Sequence, residues 1–174
     1  MKQTIITLTL LFISTIVFAQ KDNVRDEVED SFDYAKKSWS YATDALDEIK
    51  KCYDADNLDD IQYSAGRAKS EIDDAMTYAK KAEDEADDAE YEASNINCYD
   101  AEDDADDAED YFKKAKNEFN DAYSKLSSAF YEDDIDYLND YLRNAVSYIE
   151  DGMSYLKKGI GELEDTLEGL DNCN

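Results

Sequence analysis

The sequence predicts an all-α protein, an elongated antiparallel up-down-up-down four-helix bundle built from a tandem duplication of a 77-residue helical hairpin. Three observations carry that prediction. The 174-residue chain has no proline and only five glycines, the two residue types that most disfavour helix interiors. Small and apolar residues recur at alternating spacings of three and four through four long segments, the period of a helix with one face against a partner. The chain also realigns with itself without a gap when shifted by 77 residues. Tyr34, Lys36, Lys37, Met76, Tyr78, Lys80 and Lys81 then fall on Tyr111, Lys113, Lys114, Met153, Tyr155, Lys157 and Lys158. Residues 26–97 against 103–174 give 22 identities in 72 pairs, where so acidic a composition yields roughly a tenth by chance.

Residues 1–19 read as an export signal. Lys2 opens it, the apolar run that follows is dotted with Thr and Ser, and Val17 and Ala19 stand where cleavage before Gln20 requires small or aliphatic side chains. The mature protein is therefore expected outside the cytoplasm, secreted or periplasmic, with no membrane insertion. Residues 20–98 form the first expected hairpin and residues 99–174 the second, together one domain.

The first helix follows a seam of Val24, Val28, Ser31, Ala35, Ser38, Ala42, Ala45, Ile49 and Cys52. The second continues through Leu58, Ile61, Ala65, Ala68, Ile72, Ala75, Ala79, Ala82, Ala86, Ala89, Ala93 and Ile96, more than five heptads. The third uses Ala101, Ala105, Ala108, Phe112, Ala115, Phe119, Ala122, Leu126 and Ala129. The fourth uses Ile135, Leu138, Leu142, Ala145, Ile149, Gly152, Leu156, Gly159, Leu163, Thr166, Leu170 and Cys173. Phe32, Trp39, Leu46 and Tyr53 beside the first seam, and Val146, Met153, Ile160 and Leu167 beside the fourth, widen those stripes toward the bundle. The phase breaks at residues 53–57, 94–100 and 131–134. There Asp56 or Asn57, Asn97 and Asp133 are placed to cap the helices that follow. An alanine seam allows close approach but buries little apolar area, so the second helix is expected to lean on the fourth. An open pair of hairpins, or a bundle completed by dimerisation, satisfies the same pattern.

The formal charge of −27 becomes −28 once Lys2 is removed. Such a field repels nucleic acid and anionic lipid and favours divalent cations or a basic partner. Without histidine, zinc, haem and copper sites lack their commonest ligand. Three cysteines in an exported chain suggest one disulfide. Cys98 and Cys173 fall at one end of an up-down bundle and Cys52 at the other, so a Cys98–Cys173 bridge is expected; pairing of Cys52 between molecules, or three reduced thiols, is the alternative.

Between Ala82 and Phe112 stand fifteen Asp or Glu residues and no Lys or Arg. Folding the second helix back onto the third gathers them at one end, where crowding raises carboxyl pKa values and attracts calcium or magnesium. The candidate ligands are Asp87, Asp88, Asp103, Asp104, Asp106 and Asp107, weak ones because no EF-hand loop frames them; a solvated acidic face is the plain reading. The four Tyr-x-Lys-Lys copies put a tyrosine beside each seam and both lysines outward. Edge packing explains them, as it does Tyr141, Tyr148 and Tyr155 at seven-residue spacing, and a tyrosine platform for a sugar or peptide is the sharper alternative. No nucleophile stands with a base, and no glutamate and histidine sit on the seams as di-iron bundles require. The expectation is thus an exported, non-enzymatic structural or protein-interaction module, its partner an unidentified protein or a second copy. The alternative is low-affinity binding of calcium or a cationic ligand at the acidic end, with no other cofactor implied.

Overall fold

A computed structural model describes residues 2–173, with side chains described from Gln20 to Cys173. The expected export signal and its last residue, Ala19, lie outside the described side chains. Four helices follow one another: α1 (Lys2–Asp54), α2 (Leu58–Asn95), α3 (Tyr99–Phe130) and α4 (Ile135–Asn172). Helices adjacent in sequence pack side by side and α1 also meets α4, so the chain is an up-down four-helix bundle. Among the described residues no helix is long and apolar enough to cross a membrane.

Each turn falls inside an expected break, and each has its own local chemistry. Asn57 caps α2, its Oδ1 accepting from the Asp60 N–H at 2.9 Å. Asn97 does not cap α3 as expected. It takes a left-handed φ of 60°, a conformation that asparagine tolerates better than most residues. The Cys98 N–H thereby returns to the Ala93 carbonyl at 3.1 Å and the Asn97 N–H to that of Ser94 at 3.0 Å, which closes α2 in a Schellman turn. Asp133 is likewise displaced as a cap by Asp134, whose Oδ1 accepts from the Asp136 N–H at 2.9 Å. Glu132 accepts from the Asp134 N–H at 3.1 Å, and Asp134 is left as the last extended residue before the helix.

The predicted seams are buried along almost their whole length. Leu58, Ile96 and Cys173 are only half-buried and Ile135 is 50% exposed, because these positions close the ends of the bundle. Between α1 and α2 the contact is made by small residues. Ser31 and Ser38, both fully buried, donate to the carbonyls of Ala82 at 2.8 Å and Ala75 at 2.7 Å. Between α3 and α4 the corresponding space is filled by Phe112 and Phe119, whose rings lie against Gly159 and Gly152. The expected dependence of α2 on α4 is not observed. α2 packs chiefly on α1 and α3, because diagonal helices of a four-helix bundle meet only through side chains that cross the core.

One end of the molecule is cross-tied. Cys98 and Cys173 form a disulfide with a Cα–Cα distance of 5.5 Å. Lys21 donates to the carbonyls of Leu170 at 2.9 Å and Cys173 at 2.6 Å, so a cation meets the negative end of α4. Arg25 pairs with Asp171 beside it. Cys52 is a free, buried thiol; burial pushes its pKa up to about 11, which keeps it protonated and unreactive. Two carboxylates enter the core flank and are paired there. Glu83 meets Lys116 at 2.5 Å and Lys80 at 3.6 Å, and Glu48 meets Lys51 at 2.8 Å and Arg67 at 3.3 Å.

Two glycine substitutions should move stability in opposite directions. A Cβ on Gly152 would stand 2.6 Å from Cε1 of the fully buried Phe119, so Gly152→Ala is expected to cost about 1–3 kcal/mol. A Cβ on Gly161 meets nothing within 4 Å, so Gly161→Ala should gain about 0.5–1 kcal/mol from helix propensity. Urea melts of the two variants check the signs.

Candidate functional site

The acidic run is not gathered into one cage. Antiparallel packing sorts it into the grooves between successive helices. In the α1–α2 groove, carboxylate oxygens of Glu27, Glu85 and Asp88 lie within 4.8 Å of one another. Burial, a hydrogen bond shared with Glu85, and the charges of Glu85, Asp88 and Asp30 push the Glu27 carboxyl up to about 7. Glu27 therefore keeps its proton through much of the mildly acidic range. In the α2–α3 groove Asp87, Glu90 and Glu109 form a second triad within 4.8 Å. Burial first, then Asp106 and Asp87, raise Glu90. Burial also raises Glu109, against the opposing pull of Lys113.

The α3–α4 groove brings Asp104 and Asp107 toward Glu162 and Asp165. Burial and then Asp165 raise Asp104, and burial and then Asp107 raise Glu162. Under the 77-residue offset, Glu27, Asp30, Glu85 and Asp88 fall on Asp104, Asp107, Glu162 and Asp165, three identities and one exchange of Glu for Asp. The α1–α2 and α3–α4 grooves therefore carry equivalent carboxylate quartets, an i, i+3 pair from each helix.

Of the six sequence candidates, Asp88 and Asp87 enter the two triads. Asp106 acts on Glu90 and Glu109 from the rim of the second. Asp104 and Asp107 belong to the α3–α4 quartet, and Asp103 stands exposed beside Asp104. Glu85, Glu90 and Glu109 lay in the run but were not singled out, and Glu27 lay outside it. The register could have found Glu27: with Ser31 opposite Ala82, the residue one turn below on α1 must face residues 85–88. Clusters made only of oxygen ligands can hold a proton or a hard divalent cation.

One or two turns from each quartet stands a tyrosine pair. Tyr34 stacks on Tyr78 with centroids 6.1 Å apart, and Tyr41 extends that stack at 5.4 Å. Tyr111 stacks on Tyr155 at 6.4 Å. The second lysine of each motif is exposed, as expected, and its ammonium group lies over a ring. Lys37 lies 4.9 Å from the Tyr34 centroid, Lys81 4.8 Å from Tyr78, Lys114 4.9 Å from Tyr111 and Lys158 5.0 Å from Tyr155. Cation–π attraction holds these ammonium groups on the rings, and Lys114 also meets the Asp110 carboxylate at 3.6 Å.

The α1–α4 seam differs from the other three. These helices contact each other much less than the sequential neighbours do, and large side chains flank the line between them. Phe32, Leu46, Val146, Met153, Ile160 and Leu167 pack on the core while remaining partly exposed, and Trp39 is 38% exposed. Phe32 and Ile160 floor a cleft of about 550 Å³ whose rim carries Glu29, Asp30, Asp33, Lys36 and Glu164.

The raised carboxyls fix the sign of the pH dependence. Glu27 ionises near 7 in the fold and at 4.5 when free, so its contribution is fully present below about 4.5 and is lost as pH rises through about 7. Glu71, Glu90, Asp104, Glu109, Glu118 and Glu162 are raised as well. Thermal melts at constant ionic strength should therefore show a higher Tm near pH 5 than near pH 8, and Glu27→Gln should flatten that slope. A Tm that climbs steadily from pH 5 to pH 8 would contradict the assignment. Compared with known proteins, the chain matches no protein-family model and no curated protein.

Proposed function

We propose that this is an exported, non-enzymatic protein-interaction module, secreted or periplasmic, made by tandem duplication of one 77-residue hairpin. Its mature chain neither enters a membrane nor binds nucleic acid. The observation that supports the reading best is the divergence of two faces that the 77-residue offset relates. On the α2–α3 side the flanking positions are Lys69, Met76, Glu83, Glu90, Glu109, Lys116 and Tyr123, and Lys116 pairs with Glu83 while Lys69 covers the Tyr123 ring. On the α1–α4 side the matching positions are Val146, Met153, Ile160, Leu167, Phe32, Trp39 and Leu46. Five of these positions are charged on the α2–α3 side and large and apolar here, an exchange for which a face that stays in water has no use, so a partner covers them. The duplication is supported by the 22 identities and by the equivalent Tyr, Lys and carboxylate positions in the two hairpin grooves. Crosslinking of the exported protein in its native extract is expected to recover a discrete complex; monomer alone at native concentration would defeat the reading.

A second reading is low-affinity binding of divalent cations, calcium foremost. It is favoured by the retention of the carboxylate quartet in both hairpins although mutual repulsion makes it costly. If that is its purpose, millimolar calcium should raise the Tm above that of a sodium control matched for ionic strength, and Glu85→Gln with Glu162→Gln should remove the difference. Equal shifts in the two buffers would leave only screening.

A further inference from the structure

We infer that the α1–α4 cleft receives an amphipathic helix with basic flanks, laid along the seam with its apolar stripe on Phe32, Trp39, Leu46, Val146, Met153 and Ile160. The inference rests on the interaction reading and names the chemistry of the partner. Its first support is geometric. The stripe residues on α1 and on α4 each repeat every seven residues, and Phe32 beside Ile160 sets an antiparallel register that brings Trp39 opposite Met153 and Leu46 opposite Val146. Apolar rows about 20 Å long, at heptad spacing on two adjacent helices, present the ridges and grooves that a third helix fills. A strand, with side chains alternating at a period of two, does not match that spacing.

The second support is charge. Glu29, Asp30, Asp33 and Glu164 stand on the rim around Phe32 and Ile160, against one cation, Lys36. Lys36 is already engaged, 3.9 Å from Asp33 and 5.4 Å from the Phe32 ring centroid. An incoming helix with lysine or arginine beside its apolar stripe meets Glu29, Asp30 and Glu164, which outnumber the one rim cation already spent on Asp33. A second mature copy would bring another formal charge of −28, the full chain's −27 without Lys2, against the first, which self-repulsion opposes. The occupant is therefore a basic helix supplied by another molecule.

Trp39, the one tryptophan, sits on the stripe and reports its occupancy. The mature, disulfide-bonded protein is titrated with a synthetic 21-residue peptide carrying leucine at the heptad a and d positions and lysine beside them. Two controls accompany it, a scramble of the same composition without the heptad stripe and a version with glutamate for lysine. The lysine heptad peptide should bind saturably with a blue shift of Trp39 emission, at least tenfold more tightly than either control. Met153→Glu should weaken binding tenfold or more. Asp33→Asn with Glu164→Gln, on the exposed rim where folding is not at stake, should weaken it and reduce its salt dependence. Equal Trp39 shifts with the scramble, or equal affinity for the glutamate peptide, would overturn the proposal. So would a blue shift that develops with protein concentration alone and accompanies a dimer mass, which assigns the cleft to a second copy. A discrete complex from native extract in which Trp39 stays solvent-exposed would retain the interaction reading and remove this cleft from it.

Discussion

How closely two helix backbones can approach is the constraint on which the rest of this bundle depends. Alanine supplies eight of the twelve α2 seam positions, and an alanine surface brings axes together while burying little apolar area. Most of the largest fully buried side chains accordingly come from the second half of the chain: Phe112, Phe119 and Leu126 on α3, and Leu138, Leu142, Ile149, Leu156, Leu163 and Leu170 on α4. The two hairpins solve one packing problem in different ways. The first closes with serine hydroxyls bonded to carbonyls of the facing helix, and the second sets aromatic rings into the space left by glycine. The hydroxyls are fully used, so their burial leaves no polar group unsatisfied.

Close approach also organises the charge. Helices that come near each other bring the residues flanking their seams near as well, and in so acidic a chain those residues are often carboxylates. Where a carboxylate is driven into the flank of the core, as at Glu48 and Glu83, basic side chains meet it. Where no ion pair is made, as at Glu27, burial and the neighbouring carboxylates raise the carboxyl instead. The lysines that lie on tyrosine rings belong to the same arrangement, because the ring face holds the ammonium group beside the groove, and Lys114 adds an ion pair with Asp110.

Much of this was legible in the sequence, and the parts that were not have physical reasons. The seams at alternating spacings of three and four named the buried face of every helix, since small residues rarely hold that period by chance. All three turns fell inside the expected breaks. The caps were harder, because Asp133 and Asp134 are chemically interchangeable and only the unwinding of α3 past Phe130 chooses between them. At Asn97 the signal was correct and its use was not: asparagine serves both as a cap and as a left-handed residue. The acidic end was legible as a composition, whereas its division among grooves required the register, which depends on pairs such as Ser31 and Ala82 from different helices. Trp39 and its neighbours read as part of the core because the pattern reports which face is apolar and does not report how far apart two helices stand.

The cross-tied end has a mechanical consequence. Lys21 on α1 and Cys173 after α4 are adjacent in space, so a pull applied between them would not shear the bundle along its length. It would peel α1 from α4 layer by layer, beginning at the carbonyls that Lys21 holds. With Cys173 bonded to Cys98, α4 cannot fray from its far tip, and tension passes into the turn between α2 and α3. A reducing milieu would remove that brace and let the final helix open like a zipper.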